Sequence, residues 1–263
     1  MVADTELQRL GTSGWRTGLA NLWQKENRSW WALRRWLSRS ILWAVAINGF
    51  VAFVMFYPGA AAALGMEPVQ AGVNLLFQMG MLFLAIGAVV LAHGEILGER
   101  QLGVTEWLLS KPVSRSAYVL SKVLAHGLGV MVVFVGLQGA IAYGLLWLAV
   151  GEPFPPAPFL VGMAGLAAST LFYLTLTLMM GVLTTSRGVL LGVSMGVLMG
   201  GPTITNLLGK YAVLTPWSLG SLLGPAVMRV PLPVSIWTPI GVTATLAVVF
   251  VAVSLFRFEQ LEF

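Results

Sequence analysis

The stretch GERQLGVTEWLLSKPVSRSAYVLSK, residues 98–122, carries Glu99, Arg100, Glu106, Lys111, Arg115 and Lys122. The runs on either side of it, 73–94 and 123–150, contain no Asp, Glu, Lys or Arg. A helix needs about 20 apolar residues to cross a bilayer, so both flanking runs are long enough to span. Four more runs of the same kind lie at 41–60, 159–183, 189–208 and 239–256, again without acidic or basic residues in their interiors. The fold class expected is an all-α membrane protein with six transmembrane helices. The charged stretch is then a loop pinned between spans two and three.

Composition agrees. Of the 263 residues, 57% are hydrophobic and 10% charged, and the mean hydropathy is +0.85. A soluble domain carries about 25% charged residues. So little charge cannot clothe a water-exposed globule, and the solvent must be largely lipid. There is no cysteine, which excludes disulfides and thiolate metal sites. The first forty residues hold no apolar core before a small-residue cleavage site, so no cleaved leader is expected.

Lysine and arginine orient the spans. Arg9, Arg16, Lys25, Arg28, Arg34, Arg35 and Arg39 precede the first. Arg100, Lys111, Arg115 and Lys122 lie between the second and third, Arg187 between the fourth and fifth, and Arg257 after the sixth. Only Lys210 and Arg229 fall on the other side. Both termini and the loop are therefore expected in the cytoplasm, in a multi-pass protein of the plasma membrane. The chain divides into an N-terminal segment (1–40), a six-span domain (41–256) holding the loop 95–122 and an external hairpin loop (209–238), and a tail (257–263).

On a helical wheel Trp15, Leu19, Leu22, Trp23, Trp30, Leu33 and Leu37 share one face, with Arg34, Arg35 and other arginines off it. That pattern predicts an amphipathic helix at the bilayer surface, Trp15, Trp23 and Trp30 among the headgroups and Arg34 and Arg35 toward anionic phosphates. Glu26 intrudes on the apolar stripe, so the helix breaks there or Glu26 meets a protein group.

Within the loop, Thr105–Ser110 can form a short helix, preceded by Gly103 and stopped by Pro112. Trp107, Leu108 and Leu109 then sit as apolar groups facing water, a patch that invites a partner. Ser114 or Ser116 can cap the next helix. Two readings are open on these residues alone. The short helix transmits force between a soluble partner and the spans, or it lies on the membrane with Trp107 in the headgroups.

The run GEILGERQLGVTEWLLSKPVSRSAYVLSK resembles the first cytoplasmic loop of ABC-transporter permeases of the type-2 exporter class, loosely those of nitrous oxide reductase maturation. The matching residues are Glu95 and Glu99, the core Gly103, Val104, Thr105, Glu106, Trp107, Leu108 and Leu109, then Pro112, Val113, Ser114 and Arg115, and Lys122. LTPWSLGSLLGP, residues 214–225, resembles the partly membrane-inserted hairpin such permeases carry before their sixth span. The resemblance implies that the loop is a coupling helix seated on a separate ATP-binding subunit, with Glu99, Gly103, Glu106, Trp107, Leu108, Leu109, Pro112 and Arg115 at or near the contact. A smaller contact is implied at residues 184–188, through Arg187. It further implies two ATP-binding subunits, which bind ATP and magnesium, a second permease copy or homologue, export as the direction, no catalysis in this chain, and no nucleic acid.

The chemistry in the chain itself is sparse. No G-x-x-x-x-G-K-[ST] is present; Gly209 and Lys210 lack the required glycine, since position 204 is Ile. H-E-x-x-H is also absent. His93 and His126, with Glu95 and Glu99, are the one set that would support a membrane-embedded enzyme or metal site; interfacial histidines and helix-end carboxylates are the favoured reading. A non-transporting membrane anchor for an ATPase is the third alternative. In the span interiors the polar groups include Asn74, Gln78 and Gln138, and Met195 and Met199 stand in a Gly- and Met-rich fifth span. Simple bundle packing accounts for most of these; a pliable path for a hydrophobic or amphipathic cargo is the functional reading. Gly200, Gly201 and Pro202 are expected to break span five.

Overall fold

The computed structural model describes residues 14–57 and 59–261, excluding the side chains of Leu33 and Arg35. Among the described residues every regular element is helical. Six helices are long and apolar enough to cross a membrane: Trp36–Phe56, Pro68–Gln101, Arg115–Val150, Pro156–Leu183, Arg187–Leu214 and Trp237–Glu259. All six expected spans are present.

Two spans overrun the apolar sequence at the same end. The third starts at Arg115, eight residues before its first apolar run begins at Val123. Ser114 starts it as an N-cap, its Oγ accepting from Ala117 N at 3.1 Å, which satisfies one of the amides a helix start leaves free. The second span closes with a turn over His93–Ile96 and a short helix, Leu97–Gln101. The true loop is thus only Leu102–Ser114, and within it stands the helix Val104–Leu109. Gly103 starts that helix at φ +69°, a left-handed conformation that a β-carbon disfavours.

The N-terminal segment departs from the single surface helix expected. It is two helices, Leu19–Trp30 and Leu33–Trp43, and the second runs on into span one. The break falls at Trp31–Ala32, where Ala32 turns extended (ψ 120°), not at Glu26. Leu22, Glu26 and Trp30, spaced by four, form the buried edge of the first helix, which packs along span three. Gly129 permits this: a β-carbon there would fall 2.4 Å from the Trp30 ring.

Spans one and three each contain a π-helical segment, Ala44–Gly49 and Met131–Gly136. The two are joined by Asn48, whose Nδ2 donates to Gln138 Oε1 at 2.9 Å. Gln138 Nε2 in turn donates to the Val133 and Ser40 carbonyls, at 3.2 and 3.4 Å. Of these two carbonyls Val133 lies in the second π-helical segment and Ser40 in the helix that precedes the first.

Span four is the centre of the bundle, against spans two, five and six. Beyond the α-helical part of span five, Arg187–Leu208, the chain folds back: Gly209–Leu214 and Pro216–Ser218 are 3-10 turns, followed by the helix Leu219–Val227. That helix lies against spans two and four; Leu223 meets Gly165, and Val227 meets Gly162. Span five is not broken at Pro202, contrary to expectation; Pro202 sits inside the helix Arg187–Leu208. Proline removes one ladder bond and crowds the preceding turn. Here Trp217 packs flush on Gly201 and Thr205 Oγ1 donates to the Gly201 carbonyl at 3.0 Å, so neighbouring groups hold the turn.

Candidate functional site

The loop end of the bundle gathers the N-terminal helix, residues 98–122, the turn after span four and the end of span six. Lys122, at 0% exposure, is its hub. Its Nζ lies 3.1 Å from Glu99 Oε1, 3.4 Å from Glu26 Oε1 and 3.5 Å from Glu95 Oε2. These come from spans three and two and from the N-terminal helix. Burying an ammonium costs several kcal/mol unless opposite charges and hydrogen bonds replace its water, and three carboxylates do so here. Lys25 also reaches Glu26, at 3.6 Å.

A relay runs outward from this hub to the loop helix. Tyr118 OH donates to Glu99 Oε2 at 2.7 Å. Its oxygen is then the acceptor for Thr105 Oγ1, 3.3 Å away. Thr105 and Leu108 form the buried face of the loop helix. The opposite face carries Glu106 and Trp107, the latter 62% exposed, with Lys111 Nζ 3.5 Å above the Trp107 ring. Leu108 does not face water as expected, and Leu109 is half-buried against the core; a six-residue helix resting on spans has one outer face, and Trp107 takes it. Pro112 is exposed in the turn that follows.

Two loop-end arginines are turned inward. Arg100 Nη1 donates to the Val182 carbonyl at 2.9 Å and to Gly181 at 3.1 Å, capping the end of span four. Arg115, expected at a partner contact, instead donates to the Glu259 and Leu261 carbonyls at 2.7 and 2.6 Å. A guanidinium completes the free carbonyls of a helix C-terminus and favours the negative end of its dipole. Arg187 Nε donates to Gln101 Oε1 at 2.9 Å, and Gln101 Nε2 to the Thr185 carbonyl at 2.9 Å. Residues 184–188 are therefore bound to the short helix that closes span two. Ser114 N donates to the Thr17 carbonyl at 3.0 Å, tying in the N-terminal segment.

Trp30, expected among headgroups, is buried, and its Nε1 donates to His126 Nδ1 at 2.8 Å. Trp15 and Trp23 remain exposed, as does Arg34; the Arg35 side chain lies outside the described residues. The Trp30 bond fixes the His126 tautomer: Nδ1 accepts, so the ring hydrogen is on Nε2, 3.0 Å from Glu95 Oε2 but off the hydrogen-bonding line. Glu26, Glu95 and His126 place ligand atoms within 4.8 Å of one another. A metal needs a bare ring nitrogen, and Nε2 is not one; Lys122 Nζ already stands between the carboxylates. The arrangement is that of an ion-pair cluster. His93 is not in it; its Nδ1 contacts the Val90 carbonyl.

The cargo-path residues scatter. Gln138 is locked in the π-segment pair. Asn74 is half-buried with Oδ1 against Gly224, Met195 packs on the core and Met199 is 54% exposed. Gln78 alone of the five lines the cavity of about 460 Å³ between spans two, four and five and the hairpin.

Comparison with known proteins fits this architecture. Residues 23–263 match the family described as ABC-2 family transporter protein. The chain belongs to the ABC-2 transporter family. One relative in Pseudomonas aeruginosa, described as probable ABC transporter permease protein NosY, is 34% identical over 119 residues. That match covers 44% of this chain and 40% of the relative, so the chain spans well under half of the relative it matches. As an ABC-2 family member with six membrane-length helices it is a multi-pass membrane protein.

Proposed function

We propose that the chain is the permease subunit of an ATP-driven transporter and that the helix Val104–Leu109 seats in a separate ATP-binding subunit. Two such subunits, holding ATP and magnesium, would serve two permease copies, and cargo would leave the cytoplasm by alternating access. The observation that carries the reading is the outer face of the loop helix: Trp107 is 62% exposed there, while Thr105 on the inner face meets Tyr118, five residues before the apolar run of span three begins. An exposed tryptophan on a short helix held against spans two and three suits a protein groove better than a membrane surface.

The test is ATPase activity and transport in proteoliposomes with the companion ATP-binding subunit. Trp107→Ala and Glu106→Arg are expected to insert normally and keep basal ATP hydrolysis while transport falls at least tenfold. Wild-type transport in both variants would remove the coupling assignment. Anionic-lipid binding lost with Trp107→Ala would instead support a surface helix.

A further inference from the structure

The cavity between spans two, four and five and the hairpin is a built site in the middle of the membrane. Tyr173 is 17 residues from the start of span four at Pro156, and Gly201 is 14 from the start of span five at Arg187. At 1.5 Å per residue these depths are about 25 Å and about 21 Å from opposite ends, which sets both near the bilayer centre. Trp217, on the hairpin, closes the floor there. Its indole lies on the Gly201 backbone, where a β-carbon would come within 2.0 Å of Nε1, and Nε1 donates to Tyr173 OH at 3.1 Å.

That bond makes the Tyr173 oxygen an acceptor and leaves its own O–H without a protein acceptor among the described residues, although the side chain is buried. Gln78 and Asn206 also border the cavity. Neither amide has a hydrogen-bond partner among the described residues, and both are exposed. Unpartnered polar groups at this depth are costly beside hydrocarbon. Thr205 and Ser221, also at the cavity, are by contrast satisfied by the Gly201 and Ser218 carbonyls. Among the described residues no charged side chain borders the cavity.

We infer that this cavity binds an uncharged, planar aromatic amphiphile, its ring against Trp217 and the apolar wall, and its polar group hydrogen-bonded to Tyr173 O–H and the Gln78 amide. Two aromatic walls favour a flat ring. The lack of any counter-charge makes an ionised ligand unfavourable in this apolar setting. The volume, about 460 Å³, suits a small-molecule ligand. That this ligand is the cargo rests on the transporter reading; that it binds here does not.

The test uses N-phenyl-1-naphthylamine, an uncharged amphiphile, beside its sulfonated analogue 8-anilino-1-naphthalenesulfonate, which carries the same ring system and a negative charge. Both are titrated into the full chain in nanodiscs, with tryptophan-to-naphthyl energy transfer as the readout and empty nanodiscs subtracted. The neutral compound is expected to show saturable transfer. Gln78→Leu should weaken its Kd about tenfold, because the amine N–H donates to the Gln78 carbonyl; Tyr173→Phe should weaken a neutral naphthyl ketone by a like factor in the same titration, because its carbonyl accepts from the Tyr173 O–H. Gly220→Trp should abolish saturation, because Gly220 borders the cavity and has open space around it. The sulfonate should give no saturable signal. Non-saturable transfer, or transfer unchanged in the monodisperse Gly220→Trp protein, would show partition into lipid only and overturn the site. Equal affinity for the sulfonate would overturn the charge assignment. Neither readout uses ATP, so either result leaves the loop-helix test standing on its own.

Discussion

Lys122 is a full charge at zero exposure, held by three carboxylates from two other elements. Removing one partner of a buried ion pair costs about 3–5 kcal/mol, mostly because the other charges are left uncompensated. Lys122→Met is therefore expected to lower stability by that amount in detergent unfolding titrations. Adding Glu26→Gln and Glu99→Gln should recover most of the loss, since it removes the stranded charges. A triple variant no more stable than the single one would show that packing, not charge balance, sets the cost. Glu26 is legible in the sequence as an acid on an apolar stripe. Its partner is not, because Lys122 lies 96 residues away and local periodicity carries no information about which distant charge answers it. Trp30 misleads for a related reason. Tryptophan suits a headgroup belt and a buried hydrogen bond equally, and only the neighbouring Gly129 and His126 decide between them.

At the scale of elements, the loop end is held by helix termini. Arg100 and Arg115 carry the same sequence signature as the exposed Lys111, a cation in a polar loop, yet both are consumed in capping spans four and six. Charge-assisted bonds to terminal carbonyls contribute about 1 kcal/mol or more. Arg115→Ala should thus speed amide exchange in the last turn of span six about fivefold, with the centre of that span unchanged. Equal protection in the variant would remove the cap. The short helix itself is legible from Gly103 and Pro112, and so is a serine cap on span three, which the structure gives to Ser114 rather than Ser116. Which of its faces is buried is not: six residues are too few for a periodic pattern, and the answer comes from Thr105 finding Tyr118. The Gly-Pro pair in span five reads as a break because the sequence shows the lost ladder bond and does not show Trp217 filling the groove beside it.

For the whole molecule, the contacts set residues 15–17, the loop, residues 184–187 and the end of span six on one side of the bundle. The lysine and arginine bias predicts that this side faces the cytoplasm. The chain has no cysteine, so single replacements report cleanly. Lys210→Cys should react with a membrane-impermeant maleimide in intact cells, and Ser110→Cys only after permeabilisation. The reverse pattern would invert the topology and exclude the loop from meeting a cytoplasmic ATPase.

The sequence by itself determined the number and approximate limits of the six spans, the amphipathic character of the N-terminal segment, the short helix between spans two and three, and the resemblance those residues carry. Each of these is written in local hydrophobicity, charge placement and turn chemistry, which act over a few residues. Only the tertiary structure decided that the N-terminal helix docks on span three, that Lys122 is a hub, that two arginines cap spans rather than face outward, and that the hairpin borders a cavity with spans two, four and five. Those depend on contacts between distant residues, where a glycine's missing side chain or a lone buried charge acquires meaning only from what stands opposite it.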